Sequence, residues 1–325
     1  MALRIGQVLC GAKGKYELLH SLKGATVFKA KVLSGSSVQA KWAMVKSAAT
    51  DEEKMCLSRE YHNYKINEIA TSPYIRALCD VVQPQPQEDP SCLVFEWMDH
   101  DLRAVTAPEF RSNPKLPRAV SRGVLSALSV LKTLHAVHTD VSPNNIFVSH
   151  LHGCHPVAKL GDLGNTIEDG SSTQRLQCLP CRAPEVWQGY SCRHASDVWS
   201  LAVTLTTKLS AIALFGYGDK FIEGHTEAWC IAKIIRLVGP LGKPINCQTY
   251  KEEFELAEEL AVMDRPGGYM KVITRVNWRE ELQHIPDPPV PSDLLDFIES
   301  LLIIDPDKRP TALEALRHPY LQSIA

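Results

Sequence analysis

The chain has 325 residues, of which 45% are hydrophobic and 22% charged, with a formal net charge of -2. This length and apolar share fit one large bilobed domain or two ordinary ones and argue against extensive disorder, and the near balance of charge gives no support to a nucleic-acid or acidic-membrane partner. No stretch approaches ~18 uninterrupted apolar residues, and Met1-Ala2-Leu3-Arg4 lacks an apolar signal core, so an intracellular protein, cytoplasmic or nuclear, is expected.

Between residues 15 and 47, short β-prone runs (Tyr16-Glu17-Leu18-Leu19, Thr26-Val27-Phe28-Lys29-Ala30, Trp42-Ala43-Met44-Val45) alternate with turn residues, which predicts an antiparallel sheet. From Asp51 the pattern turns helical, with Leu57, Tyr61, Tyr64 and Ile66 among polar residues. Val82 to Ser91, rich in Pro, Gln, Asp and Glu, reads as a loop before the strand Cys92-Leu93-Val94-Phe95-Glu96. Helices follow: residues 119 to 137 carry Val120, Val124, Leu125, Leu128, Leu131 and Leu134 close to helical period, and a largely apolar, hence buried, helix starts at Asp197. The Pro-rich run Ile285 to Pro291 precedes helical segments at 294–302 and 311–317. The expected organisation is an N-terminal extension (1–15), a small β-rich lobe with one main helix (16–98) and a larger, mainly helical lobe (99–325), an α+β fold with a ligand cleft expected between the lobes.

The ten cysteines are scattered through the chain, as reduced thiols of an intracellular protein would be. Cys178-Leu179-Pro180-Cys181 and His152-Gly153-Cys154-His155 could in principle offer four ligands to zinc. Neither cluster is doubled and a single CxxC has little specificity, so loop cysteines that bind no metal are the preferred reading.

The strongest chemical signal is His138-Thr139-Asp140-Val141-Ser142-Pro143-Asn144-Asn145, followed by Asp162-Leu163-Gly164 and then Ala183-Pro184-Glu185. Asp, Asn and Asp in this order are what phosphoryl transfer requires: one carboxylate to orient a hydroxyl, then an amide and a second carboxylate to hold a metal that carries phosphates.

With these motifs in order, the chain from about Tyr16 to Leu321 resembles a eukaryotic protein kinase domain. The run Leu93 to Met98 followed by Asp99-His100-Asp101-Leu102, Arg182 before Ala183-Pro184-Glu185, and the extra segment at about 240–290 resemble the CMGC group. His-Thr-Asp with Asp-Leu-Gly-Asn is similar to SR-protein-type kinases and to kinase-like proteins of filamentous fungi. The resemblance implies ATP and Mg²⁺ as cofactors, a protein substrate, and transfer of the γ-phosphate to a hydroxyl, most plausibly of Ser or Thr. It assigns Lys46 to the α- and β-phosphates, with Glu60 as its ion-pair partner and Glu53 as the second choice. Asp140 becomes the residue that accepts or orients the substrate proton, and Asn145 and Asp162 the metal ligands. Ala43, Val27 and Gly24 join the nucleotide contacts, with backbone groups of Glu96 and Met98 at the adenine edge and Phe95 behind it. Asp197 is implied to tie down the catalytic-loop backbone, and Glu185 to pair with Arg309.

Several positions depart from the family pattern. The stretch His20 to Val27 holds one glycine, Gly24, where three are usual, which limits how closely backbone N–H groups approach phosphates. Ser142 stands where Ser/Thr kinases usually have a lysine, and Cys178 where its threonine partner stands. Thr139 replaces an arginine that pairs with an activation-loop phosphate, so activity is expected to be independent of such phosphorylation. These changes keep open an alternative, a pseudokinase that binds partners with or without nucleotide. A small-molecule kinase of similar fold is disfavoured by Ala183-Pro184-Glu185 and Arg309.

Overall fold

The computed structural model describes residues 3–35, 37–83, 89–265, 268 and 270–323, apart from the Cys247 side chain. The chain divides into two compact units, Met1–Asp99 with Lys159–Thr166, and His100–Ala158 with Ile167–Ala325.

The first unit is built on a six-stranded antiparallel sheet comprising β1 (Val8–Cys10), β2 (Lys15–Lys23), β3 (Val27–Val32), β4 (Trp42–Ser47), β5 (Leu78–Val82) and β6 (Cys92–Glu96), in the order β1-β2-β3-β4-β6-β5. Alternation along the strands decides what each face carries. Tyr16 and Leu18, Phe28 and Ala30, Ala43 and Val45, and Cys92 and Val94 form one apolar cluster, each at most 3% exposed. The strand β4 therefore turns Met44 and Lys46 to the opposite face, and Val27, directly across from Lys46 in the register, shares it. Ala43 is thus a correction to the expected nucleotide contacts. It is buried on the face away from Lys46, and strict period-2 alternation forbids both from lining one ligand; Met44 occupies the Lys46 face instead.

The helix α1 (Asp51–Asn63) starts where the sequence suggests, because Thr50 and Glu53 close a capping box and three acidic residues in the first turn favour the positive end of the helix dipole. Two strands lie where no strand was expected: β1 inside the N-terminal extension, and β5 just before the polar loop, whose residues 84–88 lie outside the described residues.

In the second unit, α2 (Lys115–Thr133) begins and ends four residues before the expected 119–137. Pro117 is tolerated because N–H groups of the first turn have no intrahelical acceptor, so no helix bond is lost, and the helix stops before His135, whose φ is 52°. The helix α3 (His194–Leu209) is buried nearly all round, with Trp199, Leu201, Val203 and Leu205 fully enclosed, and packs against α2 and α6 (Ser292–Leu301). Between them, α4 (Thr226–Leu237) packs on α5 (Cys247–Val262), which lies in the extra segment around 240–290. The expected helix at 311–317 is shorter, Ala312–Ala315, and the chain restarts at Pro319–Gln322 because the residue before a proline leaves helical geometry. No described helix is long and apolar enough to cross a membrane.

Candidate active site

In the first unit, the strand β4 delivers Lys46, and its Nζ lies 2.7 Å from Glu60 Oε2 and 2.7 Å from Asp162 Oδ1. Glu60 sits on α1 and is fully enclosed, whereas the Asp162 side chain is 35% exposed. The partner of Lys46 is therefore Glu60 and not Glu53, whose carboxylate is spent on the Ala49 and Thr50 N–H groups at the helix start. Burial disfavours the Lys46 charge, but the two carboxylates outweigh it and hold the ammonium above the usual lysine range. Burial raises the Glu60 carboxyl, and the ammonium at 2.7 Å and the Leu163 N–H donating at 3.1 Å oppose that rise.

Asp162 adopts the left-handed backbone conformation, φ 61°, followed by a short 3-10 turn, Leu163–Asn165. One face of α1 fixes this turn. Arg59 Nη1 donates to the Gly164 carbonyl at 3.1 Å, Asn63 Nδ2 to the Leu163 carbonyl at 2.9 Å, and Glu60 accepts from Leu163 N–H. Residues 56, 59, 60 and 63 follow helical spacing, so they present together. Cys56 also lies here: a Cβ on Gly164 would meet the Cys56 carbonyl at 3.0 Å, a tight contact that a glycine avoids. The segment 159–166 is further joined to this unit by Arg76 N–H donating to the Leu160 carbonyl, 2.8 Å, and by Lys159 Nζ reaching both Glu96 carboxylate oxygens, 2.7 and 2.9 Å.

The remaining expected nucleotide contacts of this unit are distributed as follows. Gly24, φ +52°, stands in the turn between β2 and β3; a Cβ there would meet nothing within 4 Å, and Ser21 Oγ donates to the Gly24 carbonyl. Phe95 is buried on β6 opposite Met44, with the Tyr64 ring edge-on at 5.4 Å. Met98 is buried. The Glu96 backbone is engaged on both sides: its N–H donates to the Ala77 carbonyl at 3.0 Å, and its carbonyl accepts from Arg76.

In the second unit, Asn145 Nδ2 donates to the Asp140 carbonyl and to Asp140 Oδ2, both at 2.8 Å. Both amide hydrogens thus serve Asp140, which leaves the Asn145 carbonyl oxygen as the atom suited to a cation. The loop carrying them is anchored from α3: Asp197 accepts from the His138 N–H at 2.7 Å and the Thr139 N–H at 3.0 Å. Thr139 needs this support, since its φ of 65° is costly for a β-branched residue. Burial pushes the Asp197 carboxyl up to about 7, with the two N–H donors opposing and Asp140 and Asp169 reinforcing the shift. His138 is fully buried and Ser142 is 3% exposed.

Arg309 meets Glu185 through two parallel bonds, Nη1 to Oε1 at 2.8 Å and Nη2 to Oε2 at 3.0 Å. Sequence reasoning missed Gln177, buried with φ 69°, which braces the segment before Ala183 by donating to Ser200 Oγ, 2.7 Å, and accepting from the Ala183 N–H, 3.0 Å. It also missed Arg76, for which a lone arginine ahead of a β-prone run is a weak signal. Cys178 and Cys181 form one short turn, with Cys181 N–H donating to the Cys178 carbonyl at 3.0 Å. Among the described residues, no group of three or more His, Cys, Asp or Glu side chains could hold a metal ion.

A profile of the protein kinase domain matches residues 22–321, and the chain belongs to that family. Its resemblance is to CMGC kinases in particular. It is 28% identical over 256 residues to "Extracellular signal-regulated kinase 1" of Dictyostelium discoideum, covering 75% of this chain and 43% of that protein. It is 27% identical over 262 residues to "Serine/threonine-protein kinase AFC1" of Arabidopsis thaliana (70% and 54%), and 27% identical over 241 residues to "DYRK-family kinase pom1" of Schizosaccharomyces pombe (72% and 21%). The chain thus spans 21% to 54% of the length of these relatives.

Proposed function

We propose that the protein is an ATP-dependent protein kinase that phosphorylates Ser or Thr, with Lys46, Glu60, Asp140, Asn145 and Asp162 as its working set. The observation that carries this reading is the two-sided ion pair of Lys46, which holds an ammonium charged, oriented and still partly exposed beside a carboxylate. In this reading Lys46 binds phosphate oxygens, Glu60 keeps Lys46 from swinging away, and Asp140 receives or orients the proton of the acceptor hydroxyl, a role worth ~10²–10⁴-fold in rate. Asn145 holds the Asp140 carboxylate in place. The donor set fits Mg²⁺, which prefers a few oxygen ligands and completes its shell from phosphates and water. The Asp162 carboxylate and the Asn145 amide oxygen would hold it, and when bound it neutralises charge on the phosphates. The expected domain boundaries and the identity of the acceptor residue belong to the same proposal.

Transfer from γ-labelled ATP to a degenerate Ser/Thr/Tyr peptide library tests the reading, comparing wild type with Asp140→Asn. Transfer by wild type alone is the expected outcome; equal transfer by both proteins, or by neither across several metals, overturns it. The second reading, a scaffold without catalysis, is favoured by Ser142, a small buried side chain where an ammonium would have stabilised transferred charge. Absence of transfer alongside intact nucleotide or partner binding would make it the better one.

A further inference from the structure

The strand β6 ends at Glu96, and the main-chain oxygen there has an unusual partner. Arg76 Nε and Nη2 both donate to the Glu96 carbonyl, at 3.0 and 2.9 Å. Arg76 is 3% exposed, and its guanidinium lies 5.9 Å from the centre of the Phe95 ring. The Tyr64 hydroxyl, itself buried, donates to the Arg76 carbonyl at 2.6 Å and so fixes the arginine backbone. The Glu96 carboxylate is held elsewhere, by Lys159 at 2.7 and 2.9 Å and by the Ala77 N–H at 2.7 Å. Two of the guanidinium's donors are therefore directed at a neutral carbonyl. Burial pulls the guanidinium down to about 10, so it remains charged at neutral pH.

A carbonyl oxygen has two acceptor positions, and two guanidinium N–H groups are enough to fill them. Adenine presents an amino donor at its 6-position. An amino group brought to this oxygen meets donors and leaves its own hydrogen unmatched, which is penalised in a buried site. A purine without a 6-substituent brings no hydrogen to this oxygen and loses nothing there.

Resting on the nucleotide-binding proposal and on the expected placement of the Glu96 and Met98 backbone at the purine edge, we infer that Arg76 is a base-selectivity residue. It holds the Glu96 carbonyl against a 6-amino group and lets a purine nucleoside triphosphate that lacks this group compete with ATP.

Calorimetric titration of the whole chain with Mg²⁺ and each of ATP and purine riboside triphosphate, which lacks any 6-substituent, tests this in wild type without any substitution. Purine riboside triphosphate is expected to bind wild type within about twofold of ATP or tighter; a loss of about tenfold on removing the amino group would show it making a net hydrogen bond and would overturn the inference. In Arg76→Val the preference for ATP over purine riboside triphosphate is expected to rise at least about tenfold, with Arg76→Gln intermediate. An unchanged ratio in a variant with a wild-type melting profile overturns the inference while leaving the nucleotide-binding proposal standing. If wild type and variants bind no triphosphate at all, both fall together.

Discussion

Both units join carboxylates to a cation, but they do so at opposite ends of the burial scale. Glu185 and Arg309 in the second unit are 5% and 0% exposed, whereas in the first unit Lys46 is 19% and Asp162 35% exposed. The enclosed pair has exchanged its water for two parallel bonds and further carbonyl acceptors, so neither member can be lost without stranding the other. The open cluster retains a carboxylate that water, and hence a ligand, can reach. Similar chemistry thus serves integrity in one place and is available for binding in the other.

The largest expected effect comes from outside both pairs: Asp140→Asn should lower phosphate transfer by ~10²–10⁴-fold while the unfolding transition stays in place. Next, Arg309→Ala should cost ~3–5 kcal/mol in urea unfolding, because it leaves Glu185 buried and unmatched. A variant as stable as wild type but without transfer would break the comparison, since the pair would then be acting in chemistry.

The third effect depends on pH. Asp197 is pushed up to about 7 in the folded chain from an ordinary value of 3.8. Between those values the folded protein retains a proton that the unfolded chain has released, so this group's contribution to stability falls as pH rises from about 4 to about 7 and is level above that. The fall amounts to a few kcal/mol, at ~1.4 kcal/mol per pH unit. Asp197→Asn should flatten this part of the stability profile in unfolding experiments at pH 5, 6 and 7, whatever it does to absolute stability; an unaltered slope would remove Asp197 as its source. The smallest effect should be that of Asp162→Asn on folding, less than ~1 kcal/mol for so exposed an ion-pair member. A loss as large as that of Arg309→Ala would erase the distinction between the two clusters.

The kinase motifs and their order, the start of α1 at its capping box, and the apolar periodicity of the helices were all legible in the chain before folding. These depend on residues near one another in the chain, where spacing and capping chemistry act directly. Alternation along β4 was also present in the sequence, yet which face met α1 became plain only when the apolar cluster around Tyr16 and Phe28 claimed Ala43. It took the folded backbone to establish that Lys46 takes Glu60 while Glu53 caps its own helix, that residues 159–166 belong with the first unit, and that Arg76 closes over the Glu96 carbonyl. The physical reason is that each of these choices joins groups far apart in the chain, where the balance between the cost of burying a charge and the partners available to it emerges only once distant segments have met.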